Sequence, residues 1–256
     1  MIRTLKITVA YDGTRFVGWQ RQAAGESIQG LLETALARFE GAPVSVNGAG
    51  RTDAGVHALG QVASVRVSFA HEVAAVVRGL NANLPPDVRV YRVEDADAAF
   101  HARFGARSKT YRYLLLNARV GDPFGRHYAW HLDEPLDVAA MQSACAVLVG
   151  RHDFAAFRSA GSDISTTVRT VTRSELRDGR SVVPGVTTSG ALLTYEIDGD
   201  GFLRHMVRAV VGTLVEIGRG WRPAGDMATL LESGDRSRAG ATAPPQGLFL
   251  VRVDYD

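Results

Sequence analysis

One carboxylate stands alone in "GAGRTDAGVHALGQ", residues 48–61, where Arg51, Asp53 and His57 are set among four glycines. An aspartate in a tight loop commonly closes an Asx-turn on nearby amides. Three features of this stretch point to chemistry instead. Arg51, two residues away, can pair with the carboxylate and hold it ionised. Gly50 and Gly55 allow backbone to approach a ligand closely. The strand-like runs on either side would make a rigid platform for a short loop. The glycine spacing puts Asp53 where a dinucleotide fingerprint needs its third glycine, and no Walker A pattern occurs. The seven histidines are scattered, and His57 lacks a partner at metal-ligand spacing, so no metal site is expected.

Two further groups carry chemical potential. In "SKTYRYLLLN" (108–117), strand alternation puts Tyr111, Tyr113 and Leu115 on one face and Arg112, Leu114 and Leu116 on the other. Tyr111 is then either a core aromatic or a ring that stacks on a base, with Arg107 and Lys109 placed just before it for phosphates. In "GFLRHMVRAVVGTLVEIG" (201–218), Phe202, Met206, Val210, Leu214 and Ile217 form a buried helical stripe. Arg204, His205 and Arg208 gather on another face of the first turns, either as a solvated basic face or as a phosphate contact near a helix N-terminus.

The elements that must position these groups read as follows. Residues 3–10 alternate as a strand that ends at "YDG". Ser27 can cap a helix whose apolar face is Ile28, Leu31, Leu32, Ala35, Leu36 and Phe39. Strands flank the Asp53 loop ("PVSVNGAG" and "QVASVRVSF"), a helix covers about 71–80 until "NANLPPD", and "VRVYRVE" and 109–117 are strands. An Asp-, Pro- and Gly-rich gap at 117–126 suggests halves at 1–116 and 117–256, the first carrying the loop 48–61. The second half shows helices near 137–149, 202–217 and 224–232, strands near 168–177 and 191–198, and a closing strand "GLFLVRVDY". Interleaved strands and helices, with alternating strands, predict an α+β class with largely antiparallel sheet. "ITVAYDGTRF" and "LTYEIDGDGF" echo one another, which hints at two related halves.

Composition sets the outer bounds. With 256 residues, 46% hydrophobic and 22% charged, the chain can bury a sizeable core. Net charge is only +2, but all 29 basic residues except Lys6 and Lys109 are arginine. Arginine suits phosphate and base recognition because its planar fork is bidentate and stacks on rings. No apolar run approaches the roughly 18 residues of a membrane span, and "MIRTLKITVAYDG" lacks a secretory layout. Cys145 is the one cysteine, set in the apolar run "MQSACAVLVG", which excludes an intrachain disulfide and suggests a buried structural thiol. A soluble cytoplasmic protein is expected.

The chain resembles the tRNA pseudouridine synthase A (TruA) family. The likeness rests on "YDGTRFVGWQRQ" (11–22), "AGRTDAGVHALGQV" (49–62), "NANLPPD" (81–87), "FHARF" (100–104), "KTYRYLLLN" (109–117), "RHDFAAFR" (151–158), "GFLRHMVRAVVGTLVEIG" (201–218) and "ATAPPQGLFLVRVDY" (241–255). These segments keep the family's order and cover nearly the whole chain, while "RSAGSDISTTVR" (158–169) matches only loosely and carries no assigned role. The resemblance implies the pseudouridine synthase fold, two related α/β halves around a central, largely antiparallel sheet with flanking helices. It implies a homodimer and a cofactor-independent isomerase that converts uridine to pseudouridine in the anticodon stem-loop of tRNA, at positions 38 to 40. On it, Asp53 is the catalytic aspartate, Arg51 the arginine that pairs with it, and Tyr111 the active-site tyrosine. Arg204 matches the arginine of "FLRHMVR", and Leu248 the apolar residue that lines the base pocket.

The chemistry agrees with such residues. The reaction breaks the N1–C1′ bond, turns the uracil and rejoins it through C5, with no redox change and no imported group. Asp53 could add to C1′ or to C6, or take a proton from C2′. A stem uridine must first leave the stack at a cost of a few kcal/mol, of which Tyr111 stacking could recover about 1–3 kcal/mol. The same phenol could accept the C5 proton. Arginines near 202–217, with Arg21 and Arg107, could hold the RNA backbone. Two rivals remain: an RNA-binding protein with no need of Asp53, and a glycosidase, which needs a second acid such as Asp12 or Glu196.

Overall fold

The computed structural model describes residues 2–159, 165–179 and 190–255, so part of 158–169 lies outside the described residues. The chain divides into two units, Met1–Arg107 with Phe249–Asp256, and Ser108–Leu248. The sequence-based division at 116/117 falls at the end of the strand Ser108–Asn117.

In the first unit, β1 (Arg3–Tyr11) is central, paired antiparallel with β3 (His57–Val67) and with β4 (Val88–Ala96). The short β2 (Val46–Gly48) joins β3 antiparallel, and the closing strand, named β10 (Leu248–Asp254) by its place in the chain, joins β3 in parallel through Phe249↔His57 and Leu250↔Ala58. Alternation in β1 sends Leu5, Ile7 and Val9, all 0% exposed, to the core and leaves Lys6 and Thr8 half-buried on the other face. Two helices supply apolar stripes to this core: α1 (Ile28–Glu40) buries Ile28, Leu32, Ala35 and Leu36, and α2 (Val73–Asn83) buries Val76 and Leu80. Ser27 caps α1 by accepting from Gly30 N at 3.2 Å, as its position suggested. The second helix runs on to Asn83, past the end expected near 80. It stops there because Leu84, which precedes Pro85, is driven to extended backbone (φ −91°, ψ 146°).

In the second unit, β5 (Ser108–Asn117) and β9 (Ala191–Gly199) pair antiparallel, with β8 (Val168–Asp178) and then β7 (Gly150–Asp153) beyond β9. A three-residue β6 (Trp130–Leu132) runs parallel to the end of β5. Neither β6 nor β7 was expected, since three or four residues are too few to show alternation. The helices are α3 (Val138–Val147), α4 (Met206–Gly218) and α5 (Asp226–Ser233). Cys145 is buried in α3, where burial pushes its thiol up to about 12. Among the pairings described above, all are antiparallel except β3–β10 and β5–β6, in keeping with the α+β reading.

One expectation fails in detail. The helix predicted from 202 begins at Met206, because His205 sits in the left-handed region at φ 61°. Arg204 and His205 therefore belong to a preceding turn, and only Arg208 of the three lies on α4. The helix is also apolar on nearly every side, since Val207, Ala209, Val211 and Val215 are buried along with the predicted stripe. It packs tightly against other backbone at Gly212, where a Cβ would lie 1.6 Å from the carbonyl oxygen of Ala241. Gly212→Ala reverses the usual sign for a helix interior, where alanine gains about 1 kcal/mol over glycine. We expect a loss of about 1–3 kcal/mol from overpacking, seen as a thermal midpoint lower by roughly 2–10 °C. An unchanged or raised midpoint would show that this helix is not packed as described.

Candidate active site

Asp53 is half-buried in the turn between β2 and β3. The turn is closed by its own backbone, Val56 N donating to Asp53 O at 3.1 Å. Its support comes from the chain that leaves β1. Trp19 N donates to Thr52 O at 3.0 Å, and Gly55 N donates to Phe16 O at 3.4 Å. A Cβ on Gly18 (φ 103°) would lie 2.5 Å from Thr52 O and 2.9 Å from the carbonyl carbon of Asp53. One on Gly13 would lie 2.0 Å from Val56 O. The two backbones thus touch with no side chain between them.

Beneath the turn lies a buried polar group. The Tyr11 and Thr52 hydroxyls share a 2.8 Å hydrogen bond, with Tyr11 4% and Thr52 6% exposed. Gln61 donates to Gly50 O at 2.8 Å and reaches the Tyr11 oxygen at 3.5 Å. The Trp19 ring fills the space over Gly48 and tilts against Tyr11 at 6.4 Å. His57, 1% exposed, stacks on Phe249 at 4.7 Å and accepts from Gly13 N at 3.0 Å. Asp12 Oδ1 lies 3.2 Å from the same ring nitrogen and accepts from Thr14 N and Oγ1, forming an Asx-turn. His57 is therefore an anchor of the turn. Arg51 is exposed at its rim.

In the second unit, Tyr111 is 7% exposed and meets Phe202 edge-on, with ring centroids 5.0 Å apart. Tyr113, two positions along the same strand face, is wholly buried and donates to Pro244 O at 2.7 Å. Arg204 is exposed, and its carbonyl accepts from Ser159 N at 3.3 Å. The Ser159 hydroxyl lies 2.5 Å from His205 Nδ1, which holds the ring of this left-handed residue. Arg208 spends its Nε on Ala243 O at 2.8 Å, tying α4 to the chain before β10. Leu248 is 5% exposed at the start of β10.

Glu196, weighed as a second acid, is 3% exposed and surrounded by Arg112 (2.6 Å), Arg173 (3.0 Å) and Arg177 (2.8 Å). Burial works to raise its pKa, but Arg112, with Arg177 and Arg173, outweighs that and holds the carboxyl below its ordinary value. A carboxyl so held is a poor proton donor. The supporting residues Tyr11, Thr52, Gln61 and Trp19 were not singled out from sequence alone, nor was Phe202 as the ring that meets Tyr111. Tyr11 carried a signal in hindsight, since it continues the inward-facing positions of β1.

The first unit thus holds a half-buried carboxylate on a turn braced by backbone contacts, and the second holds the ring pair Tyr111 and Phe202, with the exposed Arg204 two residues further along the chain. The family model described as tRNA pseudouridine synthase matches residues 7–105 and 144–256. The chain is 49% identical to the tRNA pseudouridine synthase A of Myxococcus xanthus, covering 98% of this chain and 91% of that protein. It is 44% identical to the enzyme of that name from Geotalea uraniireducens, covering 99% of this chain and 100% of that protein. With the one from Citrifermentans bemidjiense the identity is 42%, covering 99% and 98%. The chain belongs to the tRNA pseudouridine synthase family.

The polar group under the turn titrates in a testable way. Burial pushes the Tyr11 phenol up to about 12, against smaller lowering by Thr52 and Gln61. An unfolded tyrosine titrates near 10, so the stability Tyr11 contributes is full below about pH 10 and is lost as pH rises toward about 12. Tyr11→Phe should cost about 1–3 kcal/mol near neutral pH, by leaving the buried Thr52 hydroxyl short of a partner. That deficit should shrink above about pH 10. Urea midpoints of both proteins across this range check it, and a deficit independent of pH would contradict the burial described.

Proposed function

We propose that this protein isomerises uridine to pseudouridine in the anticodon stem-loop of tRNA, at positions 38 to 40, with Asp53 as the catalytic carboxylate. The observation that carries the reading is the turn "GRTDAGVHA" itself. Its backbone is clamped against Gly13 and Gly18, while its one carboxylate stays half-exposed for a substrate. Family membership and full-length relatives named for this activity support it.

In this mechanism the target uridine leaves its stack and its glycosidic bond is brought to Asp53. Arg51 keeps the carboxylate ionised as water is excluded. Tyr111, braced by Phe202, stacks on the uracil and keeps it from diffusing away between cleavage and rejoining. Leu248 lines the base pocket. Arg204, with His205 and Arg208, faces the phosphates, a contact that positions the RNA without reading its sequence. The hydrogen on C5 leaves as a proton when C5 joins C1′. The atoms balance without an oxidant, a metal or a carrier. Two copies of the chain work together in this reading, and the setting is the cytoplasm. The glycosidase alternative is disfavoured because Glu196 is committed to three arginines and Asp12 to its own turn.

The test uses tRNA carrying tritium on C5 of its uridines. The wild-type protein should release tritium, and Asp53→Asn should bind the same tRNA while releasing it at least about 100-fold more slowly. Equal release by both proteins removes Asp53 from the mechanism, and no release by a wild-type protein that binds tRNA makes the chain an RNA-binding protein. Gly18→Ala should also slow turnover by about 100-fold, because it displaces the Asp53 turn by a fraction of an ångström to an ångström. Normal turnover in that variant would mean the close approach of the two backbones is not required.

A further inference from the structure

Phe104 is 78% exposed, more than any other large apolar side chain among the described residues. Its exposure does not come from a loose segment. The turn 100–105 is pinned at Ala102, which is 0% exposed, donates to Ser64 Oγ at 3.1 Å and accepts from the Tyr255 hydroxyl at 2.8 Å. Gly105 N donates to His101 O at 2.9 Å, and the His101 ring nitrogen accepts from the amide of Arg103 at 3.1 Å. Below, Phe100 packs against Tyr255 at 5.1 Å, and Lys6 Nζ lies 4.7 Å from the Tyr255 ring. The turn lies on the face of the first sheet opposite Leu5, Ile7 and Val9, because Ser64 pairs with Lys6.

The setting of the ring suggests what it meets. His101 lies against it with centroids 4.4 Å apart, and the Arg103 guanidinium lies 5.6 Å from its centre. Arg103 is exposed beside it, and Arg107, three residues beyond Phe104 along the chain, is exposed as well. An aromatic that anchors a protein interface is usually ringed by apolar neighbours that exclude water. An exposed ring among cations is the arrangement that binds single-stranded or unstacked bases, the ring taking the base and the cations the phosphates.

We propose that Phe104 is a stacking platform for an RNA base other than the reacting uridine, with Arg103 and Arg107 on the adjoining phosphates. Ser64 stands well along β3 from the Asp53 turn, roughly 20 Å at about 3.3 Å per residue. The nucleotide held there is therefore not the one that reacts. Phe104 is a positioning residue: it fixes the register of the tRNA on the enzyme and leaves the chemistry at Asp53 untouched. This proposal rests on the tRNA reading above.

The experiment compares wild type, Phe104→Ala, Phe104→Trp and Arg103→Ala for tRNA affinity by anisotropy across a salt series, and for tritium release. Phe104→Ala should weaken tRNA binding about 5- to 100-fold, with a matching rise in KM and an unchanged kcat at saturating tRNA. Its thermal midpoint should equal that of the wild type, and its salt slope should be unchanged. Phe104→Trp should restore affinity. Arg103→Ala should flatten the salt slope by about one unit. Wild-type affinity in Phe104→Ala overturns the proposal, as does failure of Phe104→Trp to restore binding. A change in sedimenting mass in Phe104→Ala overturns it too, by showing an interface between protein chains. If the wild type neither binds tRNA nor releases tritium, the functional reading itself fails and this proposal with it. Normal wild-type behaviour with an insensitive Phe104→Ala fails the platform alone.

Discussion

Where the chain leaves β1 it runs against the turn that carries Asp53, backbone on backbone, and there is no room at Gly13 or Gly18 for even a methyl group. The catalytic role proposed for Asp53 requires its carboxylate to be held to a fraction of an ångström, yet a glycine-rich loop is entropically costly to hold. Close packing resolves the conflict, because each backbone supplies the other's missing hydrogen-bond partner, as Trp19 N does for Thr52 O. The hydroxyl pair of Tyr11 and Thr52 then locks the turn from below. The exposed ion pairs of Arg15 with Glu26 and Asp87 tie down the same segment from outside, and screened surface pairs of this kind add little. Rigidity here comes from buried polar contacts and excluded side chains.

The second unit handles charge differently. Glu196 is buried on the sheet among Arg112, Arg173 and Arg177, with Asp198 beside Arg173. Removing any one partner would leave a buried charge poorly matched, which is far costlier than the pair is stabilising. These arginines are thus committed to the fold. Others are committed elsewhere, Arg222 to Glu216 and Asp226, and Arg219 to Glu134. The arginine richness of the chain is therefore only partly a nucleic-acid signal. Arg103, Arg107 and Arg204 are among the exposed ones, and RNA contact is proposed for them.

By itself the sequence determined much of the local structure. Alternation in "RTLKITVAY" and "SKTYRYLLLN" is a property of strand geometry and needs no partner to be read. The cap at Ser27 and the stop before Pro85 are likewise local, each being a hydrogen bond or a steric clash within a few residues. Asp53 stood out because a carboxylate among glycines with an arginine nearby is unusual whatever surrounds it, and the motif around it pointed to the family.

Tertiary structure decided what depends on residues far apart in the chain. Tyr111 and Tyr113 share a strand face and look alike in sequence. Only the hydrogen bond of the Tyr113 hydroxyl to Pro244 O and the ring of Phe202 against Tyr111 separate a core residue from a candidate site residue. The start of α4 shifted from 202 to Met206 because Ser159, distant in sequence, meets His205 in a left-handed conformation that no helical periodicity predicts. Short β6 and β7 exist only because a longer strand lies beside each to pair with it. The fit of Gly18 against Thr52 depends on a contact between distant parts of the chain, and a pattern read along the chain carries no record of such contacts.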